Sequence, residues 1–419
     1  MRPIPRPGEA QPSARSVTMS RVRRGLAAVA LLLVLAPAGP AATLPLTARL
    51  AQALAVPGSP TSTSAAVAID LSSGKLLFGR NPDMPLAPAS NEKLPVTFAA
   101  LRELGTSYRF RTEILGRGRQ VGATWQGDIF LKGFGDPTLT SGGIDRLAAQ
   151  IEALGITQVS GRVLGDESWF DARRTAPGWK PAFYLSESPP LSALAVDRAV
   201  YDGHIALRPA LAAAGQLRRA LRRHGIASGS VGLGRAPAAS PALAEVESAR
   251  LPAVLQEMDR ESDNFTAELM LKDLGAEIGT SGTTVAGAAV VTGALSAAGV
   301  PLAGVRIVDG SGLSLDDRLT AQALAAILVS AWRDPALHYP FWAALSVAGV
   351  NGTLEHRMRL RPARGAVHAK TGTTNEASAL SGYAGSRYAF SVLQNGEPIA
   401  TYAAQRAQDR FASALASVL

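Results

Sequence analysis

Apolar and polar positions change their period several times along the chain, and each change marks an element. Residues 64–70 are apolar and partly alternating, a spacing that predicts a strand. Leu71-Ser72-Ser73-Gly74 has turn chemistry, and Lys75 to Arg80 reads as the returning strand of a hairpin. A Pro-rich connection over 81–89 leads to Ser90. From Asn91 to Leu104 apolar side chains fall at Leu94, Phe98 and Leu101, a helical spacing. Pro95 sits near the start of that helix, where a missing N–H costs least. From Gly105 to about Ser240 short alternating runs take over, such as 129–132 and 158–165. Gly135-Asp136-Pro137 and Ala176-Pro177-Gly178 punctuate them. The texture predicts a β-rich insertion, with 211–224 an Arg-rich helical stretch on a solvated face.

Helical periods return from Val246 onward. Residues 263–275, 283–298 and 320–332 read as helices, the second Ala/Val-rich and buried. Residues 305–309 read as a short strand and 353–358 as a short helix. Three consecutive strands are expected at 368–373, 377–384 and 387–394, then a closing helix over 406–419. A hairpin near one end and three strands near the other imply an α+β domain whose sheet joins both ends of the chain. Its expected parts are 43–104 and 245–419, with the insertion domain at 105–244. No repeat of 20–50 residues is present.

Composition changes this picture in three places. The chain has 419 residues, 47% hydrophobic, enough for a sizeable core. Aromatics make up only 5%, so that core is built largely from Ala, Val and Leu. The N-terminus reads as an export signal over 1–42. Arg21, Arg23 and Arg24 precede an apolar run from Gly25 to Leu35, and a small-residue, Pro-rich stretch follows from Ala36 to Ala42. Cleavage is expected after Ala38, Ala41 or Ala42, with Met19 a candidate start. The formal charge of +9 shrinks accordingly. Residues 1–42 hold six Arg and one Glu, which leaves 36 basic against 32 acidic residues and a net of about +4. That is no nucleic-acid footprint. The absence of cysteine excludes thiol nucleophiles and thiolate metal sites.

The candidate chemistry centres on Ser90-Asn91-Glu92-Lys93. A serine hydroxyl needs a base held against it, and residues three apart on a helix share a face. Free N–H groups at the helix start favour a developing oxyanion and disfavour a nearby ammonium. On its own the pattern is weak. Ser72-Ser73-Gly74-Lys75 also fits it, in a turn where no helix aligns the side chains, and Ser90 alone reads as a helix cap with Glu92 and Lys93 as surface charges. Two later triplets change the balance. Ser262-Asp263-Asn264 offers a proton-relaying hydroxyl and an amide. Lys370-Thr371-Gly372 places an anion-binding Lys–Thr pair in a strand, where Gly permits close backbone approach. Only six lysines stand against 36 arginines, and two of the six fill these motifs. Arg could not replace a basic Lys93, because it does not deprotonate. The five histidines are scattered, and no Gly-x-Ser-x-Gly, P-loop or dinucleotide fingerprint occurs; Asp309-Gly310-Ser311-Gly312 reads as a tight turn.

The ordered set Ser-x-x-Lys, Ser-Asp-Asn, Lys-Thr-Gly resembles that of the low-molecular-mass class C penicillin-binding proteins, D-Ala-D-Ala carboxypeptidases and endopeptidases of the bacterial periplasm or cell surface. Residues 133–139, 165–171, 189–194, 309–314 and 351–354 share in the resemblance. It implies a penicillin-binding transpeptidase-like α+β fold with an antiparallel sheet, and a shortened insertion, because Lys93 and Ser262 stand close together for the family. It also implies roles. Ser90 would attack the carbonyl between two D-alanines and Lys93 would take its proton. Ser262, Asn264 and Lys370 would complete the relay. The N–H groups of Ser90 and Thr373 would form the oxyanion hole. Thr371, Gly372 and Thr373 would bind the substrate strand and its carboxylate, with Asp166 a specificity residue near the far end of the stem peptide. Peptidoglycan peptides and β-lactams are the implied partners, with no cofactor, metal or nucleic acid. A β-lactamase of the same fold and a non-catalytic wall-binding protein are the alternatives. The first lacks an evident Glu-x-x-x-Asn between the second and third motifs, and the intact Ser90, Lys93, Ser262, Asn264 and Lys370 speak against the second.

Overall fold

Strand-forming residues from the two ends of the chain meet in one sheet. The computed structural model describes residues 44–419. The export signal expected over 1–42 lies outside the described residues. Helix α1 (Leu46–Ala53) precedes the hairpin of β1 (Ser64–Asp70) and β2 (Leu76–Arg80). A 3₁₀ turn (Ala89–Glu92) runs straight into α2 (Lys93–Glu103). Next come β3 (Arg111–Val121), β4 (Thr124–Gly133), α3 (Ser141–Ala153), β5 (Gln158–Val159), β6 (Val163–Asp166), the small hairpin of β7 (Val200–Tyr201) and β8 (His204–Ile205), α4 (Pro209–Arg223), β9 (Ala227–Ser228), β10 (Val231–Leu233) and β11 (Ala242–Glu247). Five helices follow: α5 (Leu251–Glu261), α6 (Asn264–Glu277), α7 (Thr284–Ala297), α8 (Ala321–Arg333) and α9 (His338–Ala344). The chain closes with β12 (Ser346–Val347), β13 (Val367–Thr373), β14 (Ala377–Ala384), β15 (Tyr388–Asn395) and α10 (Thr401–Ala416).

The first sheet has the order β12-β13-β14-β15-β1-β2 and is antiparallel throughout. Strands β13, β14, β15 and β1 are buried on both faces because both are covered. One face packs on α1 and α10 through Leu50, Phe390, Phe411 and Leu415. The other packs on the central helices through Val67, Tyr383, Leu94, Met258, Leu271 and Leu328. The catalytic-type motifs all lie on this second side.

A second sheet, β10-β6-β4-β3-β11 with β5 and β9 attached beside β4, arises wholly between residues 111 and 247. It is mixed, with β6 parallel to both β4 and β10. Helices α3 and α4 cover it through Ile144, Leu147, Ile151, Ala213, Leu217 and Leu221. The segment read as β-rich is therefore αβ-mixed. Thr140 caps α3 by accepting from the Gly143 N–H, and the spacing Ile144, Leu147, Ile151 gives it an apolar stripe. Helix α4 is solvated only along its arginines, since its Ala/Leu stripe is buried.

Several expected elements shift. Residues 158–165 break into β5 and β6. Residues 305–309 form no strand, only a bridge from Arg306 to Arg318. Residues 353–358 supply no more than a 3₁₀ turn (Gly352–Leu354), and the closing helix begins at Thr401. Helix α7 is buried on one side only, with Val285 73% exposed.

Helices α6 and α7 approach closely at two glycines. A Cβ on Gly287 would lie 1.8 Å from the Leu271 carbonyl oxygen, and one on Gly275 would lie 2.7 Å from the Gly287 nitrogen. Gly293, one and a half turns further along α7, has open space around it. Gly287→Ala is therefore expected to lower the unfolding free energy by about 1–3 kcal/mol through overpacking, whereas Gly293→Ala raises it by about 0.5–1 kcal/mol through helix propensity. Urea denaturation of the two variants beside wild type checks the opposite signs.

Candidate active site

The site begins at a strained turn. Ala89 holds φ at +47°, and the 3₁₀ turn it opens swings Ser90 onto the first residue of α2, Lys93. Lys93 is fully buried. Its Nζ lies 2.7 Å from the Ser311 carbonyl oxygen, 2.9 Å from Asn264 Oδ1 and 3.1 Å from Ser90 Oγ. A neutral amine has two N–H donors and one lone pair. The two carbonyl oxygens can only accept, so they take the N–H groups. The lone pair is left for the Ser90 hydroxyl. Burial brings the Lys93 pKa down to about 8, although Asp309, Asp263, Asp259 and Glu268 pull it back up.

The second triplet is held by a second strained residue. Ser262 closes α5 with φ +58°, and its Oγ accepts a hydrogen bond from Lys370 Nζ at 2.8 Å. Burial lowers the Lys370 pKa, and the charge of Lys93 lowers it further. Asp263 then caps α6, accepting from the Phe265 N–H, and so sets Asn264 as the first residue of that helix. The Asn264 amide is fixed from both ends, because its Nδ2 donates to the Glu187 carbonyl oxygen at 3.1 Å. Arg198, itself at φ +57°, forms a forked ion pair with Asp263. Burial would raise the Asp263 pKa, but this pairing outweighs it and the net direction is down. Asp259 lies one turn earlier, on the buried stripe of α5, and accepts from Thr97 Oγ1 at 2.8 Å. Its pKa is raised by burial and partly restored by Lys370 and Lys93.

Strand β13 supplies the third motif. By alternation Lys370 and Gly372 share the face that looks toward the 3₁₀ turn. A Cβ on Gly372 would lie 2.8 Å from the Pro88 carbonyl oxygen and 3.1 Å from the Ser90 nitrogen, so only glycine lets the strand pass this close. Asn91 Nδ2 locks the two segments together by donating to the Lys370 carbonyl oxygen at 3.0 Å. Thr371, on the opposite face, donates to Thr353 Oγ1 at 2.7 Å, while Thr373 is exposed. On its outer side β13 is paired with β12 only at His368 and Ala369. Among the described residues no strand pairs with the edge from Lys370 to Thr373.

Ser90, Lys93 and Asn264 thus form one hydrogen-bonded group and Ser262 and Lys370 a second, with Gly372 pressed against the Ser90 turn. Asp166 does not join them. It lies in β6, 1% exposed, and its two carboxylate oxygens accept from the Ser168 and Ala236 N–H groups. The carboxylate is occupied as turn and strand glue. Ser72 and Ser73 of the competing pattern both bond Asp70 in the β1–β2 turn, with Lys75 exposed beside them. Four contributors escaped the sequence reading. Asp259 had a signal, an acid four residues after Leu255 on an otherwise apolar stripe. Glu92, expected as a surface charge, is fully buried. The Ser311 contact is a backbone carbonyl, which carries no residue signature. Arg198 reaches Asp263 from 65 residues away.

Known proteins resemble this chain. A curated D-alanyl-D-alanine carboxypeptidase of Actinomadura sp. (strain R39) is 31% identical to this chain, over 80% of it and 78% of its own length. A carboxypeptidase of Mycobacterium tuberculosis is 33% identical, over 75% of this chain and 71% of its own. The crystal structure of penicillin binding protein 4 from Haemophilus influenzae superposes with a TM-score of 0.77, at 21% identity, over 88% of this chain and 98% of the other, a likeness of fold. The profile of the D-Ala-D-Ala carboxypeptidase 3 (S13) family matches residues 46–206 and 205–418, and the chain belongs to that family.

Proposed function

We propose that this protein is a serine D-Ala-D-Ala carboxypeptidase and endopeptidase that hydrolyses peptidoglycan stem peptides and their cross-links through an acyl-enzyme. The observation that carries the reading is Lys93 Nζ, 3.1 Å from Ser90 Oγ and held by the Asn264 and Ser311 carbonyl oxygens, so that once neutral it turns its lone pair on the serine hydroxyl. Lys93 accepts the Ser90 proton as Oγ attacks the carbonyl carbon between the two D-alanines. The carbonyl oxygen becomes an oxyanion, held by the N–H groups of Ser90 and Thr373. When the C–N bond breaks, the departing amine takes a proton relayed from Lys93 through the Ser262–Lys370 pair. Water then adds to the Ser90 ester, and cleavage of its C–O bond frees the acid and restores the serine.

Substrate binding follows from β13. An extended peptide can add to the unpaired edge at 370–373 as a further strand. Gly372 keeps its carbonyl carbon close to Ser90, Thr373 with its exposed side chain receives the terminal carboxylate, and Thr371 joins it when its O–H turns from Thr353. Asp166 is assigned no substrate contact, since both its oxygens are taken by backbone N–H groups. Such a substrate lies outside the cytoplasm, and the basic-then-apolar segment before residue 43 would direct export.

Two measurements test the reading. Incubated with benzylpenicillin, wild type is expected to gain the mass of one penicillin per chain, and Ser90→Ala none; an unmodified wild type, or an adduct on the variant, overturns it. Acylation is expected to rise with pH around a midpoint near 8, where Lys93 loses its proton, rather than near the 10.5 of an ordinary lysine. Lys93→Arg should acylate roughly 10²–10⁴-fold more slowly across that range, since its side chain stays charged. Digestion of cross-linked muropeptides should release both free D-alanine and monomers, which separates the two peptidase activities.

A further inference from the structure

Behind Lys93 lie four carboxyl groups that the proposed reaction does not use. Glu92, Glu268, Asp309 and Asp317 are all fully buried. They differ sharply in how they are partnered. Asp309 receives four donors: the N–H groups of Gly312 (2.7 Å) and Ser314 (2.8 Å), Trp179 Nε1 (2.9 Å) and Ser311 Oγ (3.1 Å). Asp317 Oδ1 accepts from the Val308 N–H at 2.6 Å and the Asp309 N–H at 3.3 Å, which sets its carboxyl beside that of Asp309. Neither oxygen of Glu92 has a partner, and one oxygen each of Glu268 and Asp317 has none. A buried carboxylate without donors is strongly disfavoured, whereas one ringed by donors is stable as the anion. The charge therefore rests on Asp309, which has the donors, and Asp317, pushed up by burial and by that neighbouring charge, holds its proton.

The same groups hold the segment that grips the lysine. Glu268 Oε1 accepts from the Gly310 and Ser311 N–H groups at 3.0 and 2.9 Å, and the Ser311 carbonyl on the other side of that turn accepts from Lys93. The turn is wedged in place. A Cβ on Gly310 would lie 2.6 Å from the Ala267 carbonyl oxygen, and one on Gly312 would lie 1.9 Å from that of Ala89.

We propose that these four residues form a buried carboxyl cluster that holds a single negative charge, on Asp309, and that Asp309 is a positioning residue whose charge and turn fix Lys93 against Ser90 and set its proton affinity. The inference rests on the Ser90–Lys93 reading of the active site. Other charged groups face Lys93 as well. Asp263 on α6 is committed to Arg198, Asp259 on α5 acts first on Lys370, and Lys370 on β13 opposes it as a like charge. Asp309 is the largest charge acting in favour of the Lys93 ammonium. Burial pushes Glu92, Glu268 and Asp317 up, in keeping with protonated acids.

The test is the pH dependence of benzylpenicillin acylation in Asp309→Asn and Glu92→Gln beside wild type. Removing the one charge should move the rising limb of Asp309→Asn downward by about one pH unit, while Glu92→Gln, which replaces a neutral acid, keeps the wild-type midpoint. A structural role alone would change rates and leave every midpoint in place, and that result overturns the proposal. If Asp309→Asn does not fold, infrared difference spectra at pH 7 decide instead. Glu92→Gln should lose a protonated-carboxyl band from the wild-type spectrum, and loss of a carboxylate band overturns the proposal. A wild type that takes up no penicillin at all refutes the active-site reading, a different outcome from acylation with unmoved midpoints.

Discussion

The structure depends on keeping one amine dry and aimed. A lysine side chain gives up its hydration only where its polar end is satisfied, and here two carbonyl oxygens from distant parts of the chain, Asn264 Oδ1 and Ser311 O, supply that satisfaction. The fold around the site can be read as the means of presenting these two acceptors. Helix α6 begins where the Asp263 cap says it must, so Asn264 is set. The Gly310–Gly312 turn is wedged between α6 and the Ser90 turn, so Ser311 is set. Displacing either acceptor would leave a buried N–H unpaired and would turn the lone pair away from Ser90.

Strain is concentrated at the same place. Ala89 and Ser262, both outside glycine's range of freedom, adopt left-handed φ values of +47° and +58°, and Arg198, which braces Asp263, is at +57°. Each such residue costs on the order of 1–3 kcal/mol and persists only where its surroundings over-determine it. These residues are over-determined by the Asn91 bond to β13, by Lys370 on Ser262 and by the Arg198–Asp263 fork. Strain and function coincide because a helix running smoothly through either motif would carry the serine past its partner.

How much was legible follows from the same physics. The strands β13 to β15 were readable almost to the residue, because a sheet covered on both faces writes a continuous apolar run into the sequence. Helix α3 was not, since short elements around it set the tone of the segment and two glycines open it. Of the site, the residues recognised by side-chain chemistry, Ser90, Lys93, Ser262, Asn264 and Lys370, were visible as an ordered set. Ser311 was not, because what it contributes is a backbone carbonyl. Glu92 looked like a surface charge because helix-start acids usually are, but it is fully buried, with Gly312 packed close against it. Asp166 stands apart from the group for a different reason. A turn acid and a ligand-binding acid have the same local spelling, and its partner Ala236 stands 70 residues away.

The pairing of the two chain ends in one sheet has a consequence in time. Ser90 and Lys93 lie in the first quarter of the chain, yet β13, which presses Gly372 against Ser90, follows some 280 residues later, and β1 waits for β15 as its neighbour. Contacts of such long sequence separation form late, since the loop must close before the contact can stabilise anything. During synthesis the proposed nucleophile is therefore made well before the strand that completes its surroundings. A half-made chain carries the serine and its lysine without the surface that would bring a substrate to them. The order of the motifs thus acts as a delay, and catalytic competence arrives only with the last strands of the sheet.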